Sequence, residues 1–228
     1  MKKIMIFVSA LTFSGSMFAQ KPASSDSKYS LEGMINYDLL NGVSWNAPNL
    51  RARYFVNDNF AARVTLGIGA SDTTNNVYEA TPGTGTGTIK YKTMGWSLGL
   101  GGEYHLAGTE RLSPYFSAGL MFGGSSNKSI GTDATLVGTY SKGNSFDSKS
   151  SASMFGLGVG AGFDYYVMKN IYLGLELGFN WMKYTDKGGT NSSTISGTTV
   201  SSDIKSTGST SGMNLGGGNL GFRIGWRF

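Results

Sequence analysis

Four carboxylates and four guanidiniums occupy one kind of position in this chain. Glu32, Arg51, Arg53, Arg63, Glu103, Asp164, Glu176 and Arg223 each alternate with runs of apolar residues. Side chains of a strand alternate between its two faces, so these charges share the face turned away from the apolar one. Equal numbers of acids and bases gathered in a confined space pair with one another, because an isolated charge there is costly. The chemistry they offer is therefore a salt-bridged network, or a polar path for small solutes if the packing leaves room.

Two other patterns could carry chemistry. His105 is the only histidine, two residues from Glu103. With a nearby serine it has the residue types of a hydrolase triad. A satisfied histidine at the membrane interface is the simpler expectation. Gly156-Leu-Gly158-Val-Gly160-Ala161 fits the relaxed dinucleotide pattern G-x-G-x-x-A. That pattern needs a strand before it and a helix after it. Here the glycines alternate with apolar residues inside one strand, where they let a tight sheet curve. With no cysteine there is no disulfide framework and no thiolate metal site. No cofactor and no metal are expected.

The elements that position these residues are strands. Period-two alternation predicts eight, at about 29–39, 49–56, 60–70, 89–106, 114–123, 151–167, 171–184 and 212–228. Short turns at 57–59, 107–113 and 168–170 alternate with longer loops at 41–48, 71–88, 124–150 and 185–211. Met213 and Leu215 have the opposite parity to Leu220, which predicts a bulge near Gly216-Gly217-Gly218. The last strand, Leu220–Phe228, has Leu220, Phe222, Ile224, Trp226 and Phe228 on one face. Gly221, Arg223, Gly225 and Arg227 lie on the other. An apolar face outward and a small or charged face inward is the pattern of a membrane-spanning barrel. Slightly negative mean hydropathy does not oppose this, since only alternate residues meet lipid. A soluble sandwich would show a polar face rich in Lys and Glu. The second face here is mostly Gly and Ser.

Residues 1–20 read as a secretory signal peptide, with Lys2 and Lys3 before the apolar Ile4–Phe13 and cleavage after Ala19 or Gln20. Residues 21–28 form a short periplasmic lead-in and 29–228 the barrel. Net charge is +5, of which Lys2 and Lys3 supply two, and no Lys/Arg cluster stands out. Nucleic acid is not an expected partner.

The terminal aromatic strand resembles the C-terminal signal strand of bacterial outer-membrane barrels, with Arg223 where a glycine is common. The whole mature chain resembles the OmpA/OmpX-type small outer-membrane β-barrels, and the Ala19-Gln20 junction resembles signal peptides of the Bacteroidota. The resemblance implies an all-β, eight-stranded antiparallel up-and-down transmembrane β-barrel in the cell outer membrane. It implies periplasmic termini and extracellular long loops. It also implies contact with outer-membrane lipid and lipopolysaccharide, and with the barrel-assembly machinery during insertion. Leu220, Phe222, Ile224, Trp226 and Phe228 would be the assembly signal.

The expected function is non-enzymatic: a structural or interaction component, acting through its outer loops or as an accessory subunit of a larger outer-membrane complex. The alternatives are a narrow porin-like channel and, behind it, a lipid-modifying enzyme. Trp45, in the first outer loop, is a candidate contact residue. The long loops, with Tyr78, Tyr140 and Phe146 among Ser, Thr and Gly, are expected to be mobile and hydrophilic.

Overall fold

A computed structural model of the chain describes residues 21–38, 42–79 and 85–228, with the side chains of 34–38, 42–49 and 214–220 left out. The signal-peptide reading of 1–20 lies outside the described residues. Nine strands are described: β1 Tyr29–Asp38, β2 Gly42–Phe55, β3 Phe60–Tyr78, β4 Thr86–His105, β5 Leu112–Ala134, β6 Tyr140–Tyr166, β7 Ile171–Ile195, β8 Thr198–Ile204 and β9 Ser209–Arg227.

Eight of them close a ring. Each strand from β1 to β7 pairs antiparallel with the next, β7 pairs with β9, and β9 returns to β1. The seam is well tied: the Tyr29 amide donates to the Phe228 carbonyl at 2.9 Å, and the Phe228 amide donates back at 2.8 Å. Closure satisfies the backbone groups that an open edge would leave bare in lipid. The ninth strand, β8, stands outside the ring and pairs with the far end of β7, Gly189–Ile195.

The outer wall follows from parity. Phe60, Val64, Leu66 and Ile68 on β3 face outward with Tyr104, Leu100, Trp96 and Met94 on β4. From Tyr104 to Met94 is about 25 Å after allowing for strand tilt, the height of a membrane band. Tyr29, Tyr54, Tyr104, Trp226 and Phe228 are exposed at the end carrying the termini. Trp96 is exposed at the other end of the band.

The expected long loops are largely strand. β5, β6 and β7 run 23, 27 and 25 residues. About 9–11 residues cross a membrane, so each continues well past the apolar band as a paired arm. The segment expected as the loop 41–48 is strand from Gly42, so Trp45 lies in β2 rather than in a loop; its side chain is among those left out. Segments 71–88, 124–150 and 185–211 become arms of β3–β7, the extra strand β8 and the start of β9. The physical reason is that β-branched Thr and small Ser suit a pleated ladder, while apolar alternation vanishes where no lipid touches the wall. The arms even have a core: Ile89, Ala134 and Phe146 are buried together with Val77 against them. Gly131 lies where any Cβ would overlap the Phe146 ring, so the ring seats over bare backbone.

The expected bulge is present. Leu177 pairs with Leu220 but Phe179 pairs with Leu215, so β9 carries surplus residues there and changes parity. The short turns match as well. At the β2–β3 turn the Asn57 side-chain oxygen accepts from the amides of Asn59 and Phe60 at 2.9 and 2.8 Å, a closure that Asn favours. The lead-in is docked rather than free. The Lys21 amide donates to the Glu110 carbonyl, and the Ser24 amide to Asp58 at 2.7 Å. The latter bond holds the Asp58 carboxyl below the usual carboxylate range.

Candidate functional site

The eight charges converge on one site, in the lumen towards the termini end. Acids come from β1, β4, β6 and β7; bases come from β2, β3 and β9. At the centre is Arg53, fully buried. It reaches Glu32 at 2.6 Å, Glu103 at 2.8 Å and Asp164 at 2.8 Å. Arg223 joins Glu32 and Asp164, each at 3.0 Å. One layer higher, Arg51 meets Glu176 at 2.7 Å, and Arg63 joins Glu176 at 3.0 Å to Glu103 at 3.3 Å. Arg53 and Arg63 sit directly opposite each other on β2 and β3. Like charges there repel, and the shared Glu103 offsets this. Every acid bridges at least two guanidiniums, so no single pair can be cut out without exposing another charge.

Five further lumen residues complete the plug, and none of them was in the predicted set. Tyr172 donates to Glu32 at 2.8 Å and Tyr115 to Glu176 at 2.7 Å. Arg227 lies 3.7 Å over the Phe55 ring, and its Nε donates to the Ser27 carbonyl at 2.9 Å. Tyr166 faces Arg227 at 3.4 Å. The signal for them was available: Phe55 and Arg227 share parity with Arg53 and Arg223. The three tyrosines stand near strand ends, where an aromatic also suits a membrane interface.

His105 is inside this plug, not at the membrane interface as expected. It is 1% exposed, flanked by the rings of Phe55 and Tyr115. Its Nδ1 lies 2.9 Å from Ser113 Oγ and its Nε2 lies 3.3 Å from Glu103. The triad's residue types therefore do meet. The polarity is reversed relative to a hydrolase, where Nε2 faces the serine. Ser113 and Glu103 are also closed off, at 1% and 0% exposure, and Glu103 is already held by arginines. The histidine is packed inside the plug between the Phe55 and Tyr115 rings.

Above the Arg51–Arg63–Glu176 floor the lumen opens. A cavity of about 230 Å³ is lined by Thr65, Ser97, Met121 and Asn180, with glycines between them. A second space of about 260 Å³ follows at Gly67, Gly95, Met154 and Tyr184. The lumen is thus a well, closed at the termini end and hollow towards the long arms.

The outward-facing members of the predicted terminal signal are placed on the wall: Phe222, Ile224, Trp226 and Phe228 are all exposed. The side chain of Leu220 is outside the description. In the arms, Asp186 closes the approach to β9. It accepts from the amide and hydroxyl of Thr207 at 2.8 and 2.7 Å and from the Gly188 amide at 2.8 Å. These bonds hold its carboxyl below the usual range. A depressed folded pKa means the bonds contribute above the unfolded value of about 4 and are lost as pH falls through the folded one. Hydrogen exchange at the Thr207 amide is expected to be slow at pH 7 and to lose its protection in Asp186→Ala. As pH falls through that lowered folded value, the wild-type protection is expected to fade in the same way.

A closed antiparallel ring with an apolar outside, interfacial aromatics and an ion-paired inside is a transmembrane β-barrel. The model of the outer membrane protein beta-barrel domain matches residues 6–228. The chain belongs to that family, and its place is the outer membrane. A search of curated proteins finds no match. Among solved structures, a major outer membrane protein from Thermus thermophilus overlaps with TM-score 0.46 and 16% identity, over 89% of this chain and 99% of that one. Ail, the attachment invasion locus protein of Yersinia pestis, gives 0.37 and 14%, over 89% and 97%. Outer Membrane Protein W of E. coli gives 0.29 and 14%, over 89% and 98%. These overlaps are loose, and the family assignment rests on the family match.

Proposed function

We infer that this chain is a non-enzymatic display barrel, which holds a stiff crown of β-hairpins outside the cell as an interaction surface and keeps its termini in the periplasm. The observation that carries this reading is the length of the arms: β5–β7 extend far beyond a membrane crossing and are paired throughout. Paired strands with a buried core lose less entropy on binding than free loops would, which suits a docking surface. Docking beside a larger outer-membrane machine is a use the same crown allows. The exposed terminal strand would serve as the assembly signal during insertion.

The channel reading draws on the open upper lumen. The plug beneath it, tied across seven strands, supports a silent barrel. Planar bilayers containing the refolded chain are expected to show no single-channel steps. Discrete steps that shift on changing Arg63 or Glu176 would replace the display reading with the channel.

Orientation has a direct test because the chain has no cysteine. Val137, at the β5–β6 tip, is 85% exposed, and Met168, in the β6–β7 turn, is 62% exposed. A membrane-impermeant maleimide on intact cells is expected to label Val137→Cys and spare Met168→Cys. The opposite pattern would overturn the reading. Gentle detergent extraction with mass spectrometry then identifies what the crown holds.

A further inference from the structure

The upper layer of the plug is the part of it that faces open space. The side chains of Arg53, Arg223, Glu32, Glu103 and Asp164 are fully enclosed, whereas those of Arg63, Glu176 and Arg51 keep 15%, 11% and 5% exposure. The same three line the cavity of about 230 Å³ above them. Among the described residues the floor of the well therefore presents two guanidiniums and one carboxylate, a surplus of one positive charge.

The two arginines are not equally occupied. Arg51 gives Nη1 to Glu176 at 2.7 Å and Nε to Thr65 at 3.4 Å. Arg63 makes all its bonds, to Glu103 and Glu176, through Nη1. Its Nε and Nη2 have no partner among the described residues. These two groups form one flat edge of the guanidinium, and such an edge matches the two oxygens of a carboxylate. A charged donor edge left unfilled in a confined lumen is costly, so an acceptor there is stabilising.

The remaining lining suits a compact organic body. It consists of Met121, the uncharged polar Thr65, Ser97 and Asn180, and glycines that leave the space open. At Gly158 a Cβ would run into the Asn180 side-chain oxygen, so the bare backbone is what gives Asn180 its place. A cavity of about 150 Å³ takes benzene, so one of about 230 Å³ takes a ring that bears a carboxylate. Ser97 also borders the space of about 260 Å³ above, on the side of the arms.

We propose that the well is a binding site for a small organic monocarboxylate, seated on the Nε–Nη2 edge of Arg63 with its body against Met121 and the lumen glycines. One negative charge matches the surplus of the floor. A second would meet Glu176, which disfavours a dianion such as sulfate. The plug stops a solute held there, so the site binds and does not conduct. It is separate from the crown and does not rest on the display reading.

Saturation-transfer NMR on the full chain tests this, with the protein refolded in detergent and its folding checked by heat-modifiable gel migration. The probes are benzoate, benzamide and benzylammonium, which share a ring and differ in charge. Wild type is expected to bind benzoate saturably and at least about tenfold more tightly than benzamide, with no saturable signal from benzylammonium. Arg63→Lys keeps the charge and lacks the flat edge, and is expected to weaken benzoate about tenfold. Ser97→Phe fills the cavity with every charge in place. It is expected to abolish saturable binding, while partition of the probe into micelles persists. Sulfate at the same concentration should not displace benzoate. Equal affinity for benzoate and benzamide would overturn the proposal. So would saturable benzoate binding in folded Ser97→Phe, unchanged affinity in folded Arg63→Lys, or displacement by sulfate. No saturable signal from any probe would make this a water-filled well only, and would overturn it too. The three-probe comparison needs no variant, so it stays decisive if either variant misfolds.

Discussion

Arg53→Met is expected to destabilise the folded barrel by about 3–5 kcal/mol, the cost of breaking a buried ion pair from one side. Urea unfolding in lipid vesicles, followed by the gel shift between folded and heat-denatured forms, measures it. The reason lies in the count of partners. Arg53 is the common neighbour of Glu32, Glu103 and Asp164, all fully buried. Its methylenes can be replaced by methionine, but three carboxylates then lose their central cation. Arg223 and Arg63 each still reach some of them, and this keeps the loss from being larger. Glu103→Gln, made alone and together with Arg53→Met, closes a double-mutant cycle. A coupling of at least about 1 kcal/mol is expected for residues in one network. Strict additivity would mean that the plug is a collection of separate contacts, and the structural role given to it would fail.

Gly162→Val is expected to be strongly damaging, at about 1–3 kcal/mol or more. Gly162 faces the lumen between Glu176 on β7 and Tyr115 on β5. A Cβ there would run into the Leu175 carbonyl and the Tyr115 phenol. The backbone carbonyl cannot swing away without opening the β6–β7 ladder. The phenol cannot move without releasing Glu176, to which it donates at 2.7 Å. Gly33 supplies the contrast. It faces outward with nothing within 4 Å of the added carbon, so Gly33→Ala should stay within about 0.5 kcal/mol. If both variants refold equally well by gel shift, the packed lumen described above is wrong.

Both results bear on the display reading. On that reading, a cooperative plug at the base of the lumen exchanges transport for stiffness. Stiffness at the base is what allows arms on strands of 23 to 27 residues to stand above a membrane without fraying. The strand β8 adds a further rung on β7, outside the ring and clear of the apolar band. On the display reading proposed above, the interaction surface is remote from the charged residues that first draw attention in the sequence.

The residue types around Ser113, His105 and Glu103 show how far spacing alone can be followed. They meet within hydrogen-bond distance, but all three are buried and Glu103 is already held by arginines. Trp45 shows the converse. Loop composition placed it in the first outer loop; it falls within β2, at a break in the ladder where Ser44 pairs with Asn36 and Asn49 with Met34.

The strand faces, the eight-stranded ring and the parity break near Gly216-Gly217-Gly218 were all legible along the chain. Each is a local property: period two, turn chemistry and apolar content can be read within one segment. Parity also showed which charges face inward. Which acid meets which base was settled in three dimensions. Those contacts join residues as far apart as Glu32 and Arg223, and they depend on the stagger of eight strands around a closed ring. Folding likewise turned the polar segments into arms, because a ladder of Ser and Thr is stabilised by the neighbour's register and not by its own pattern.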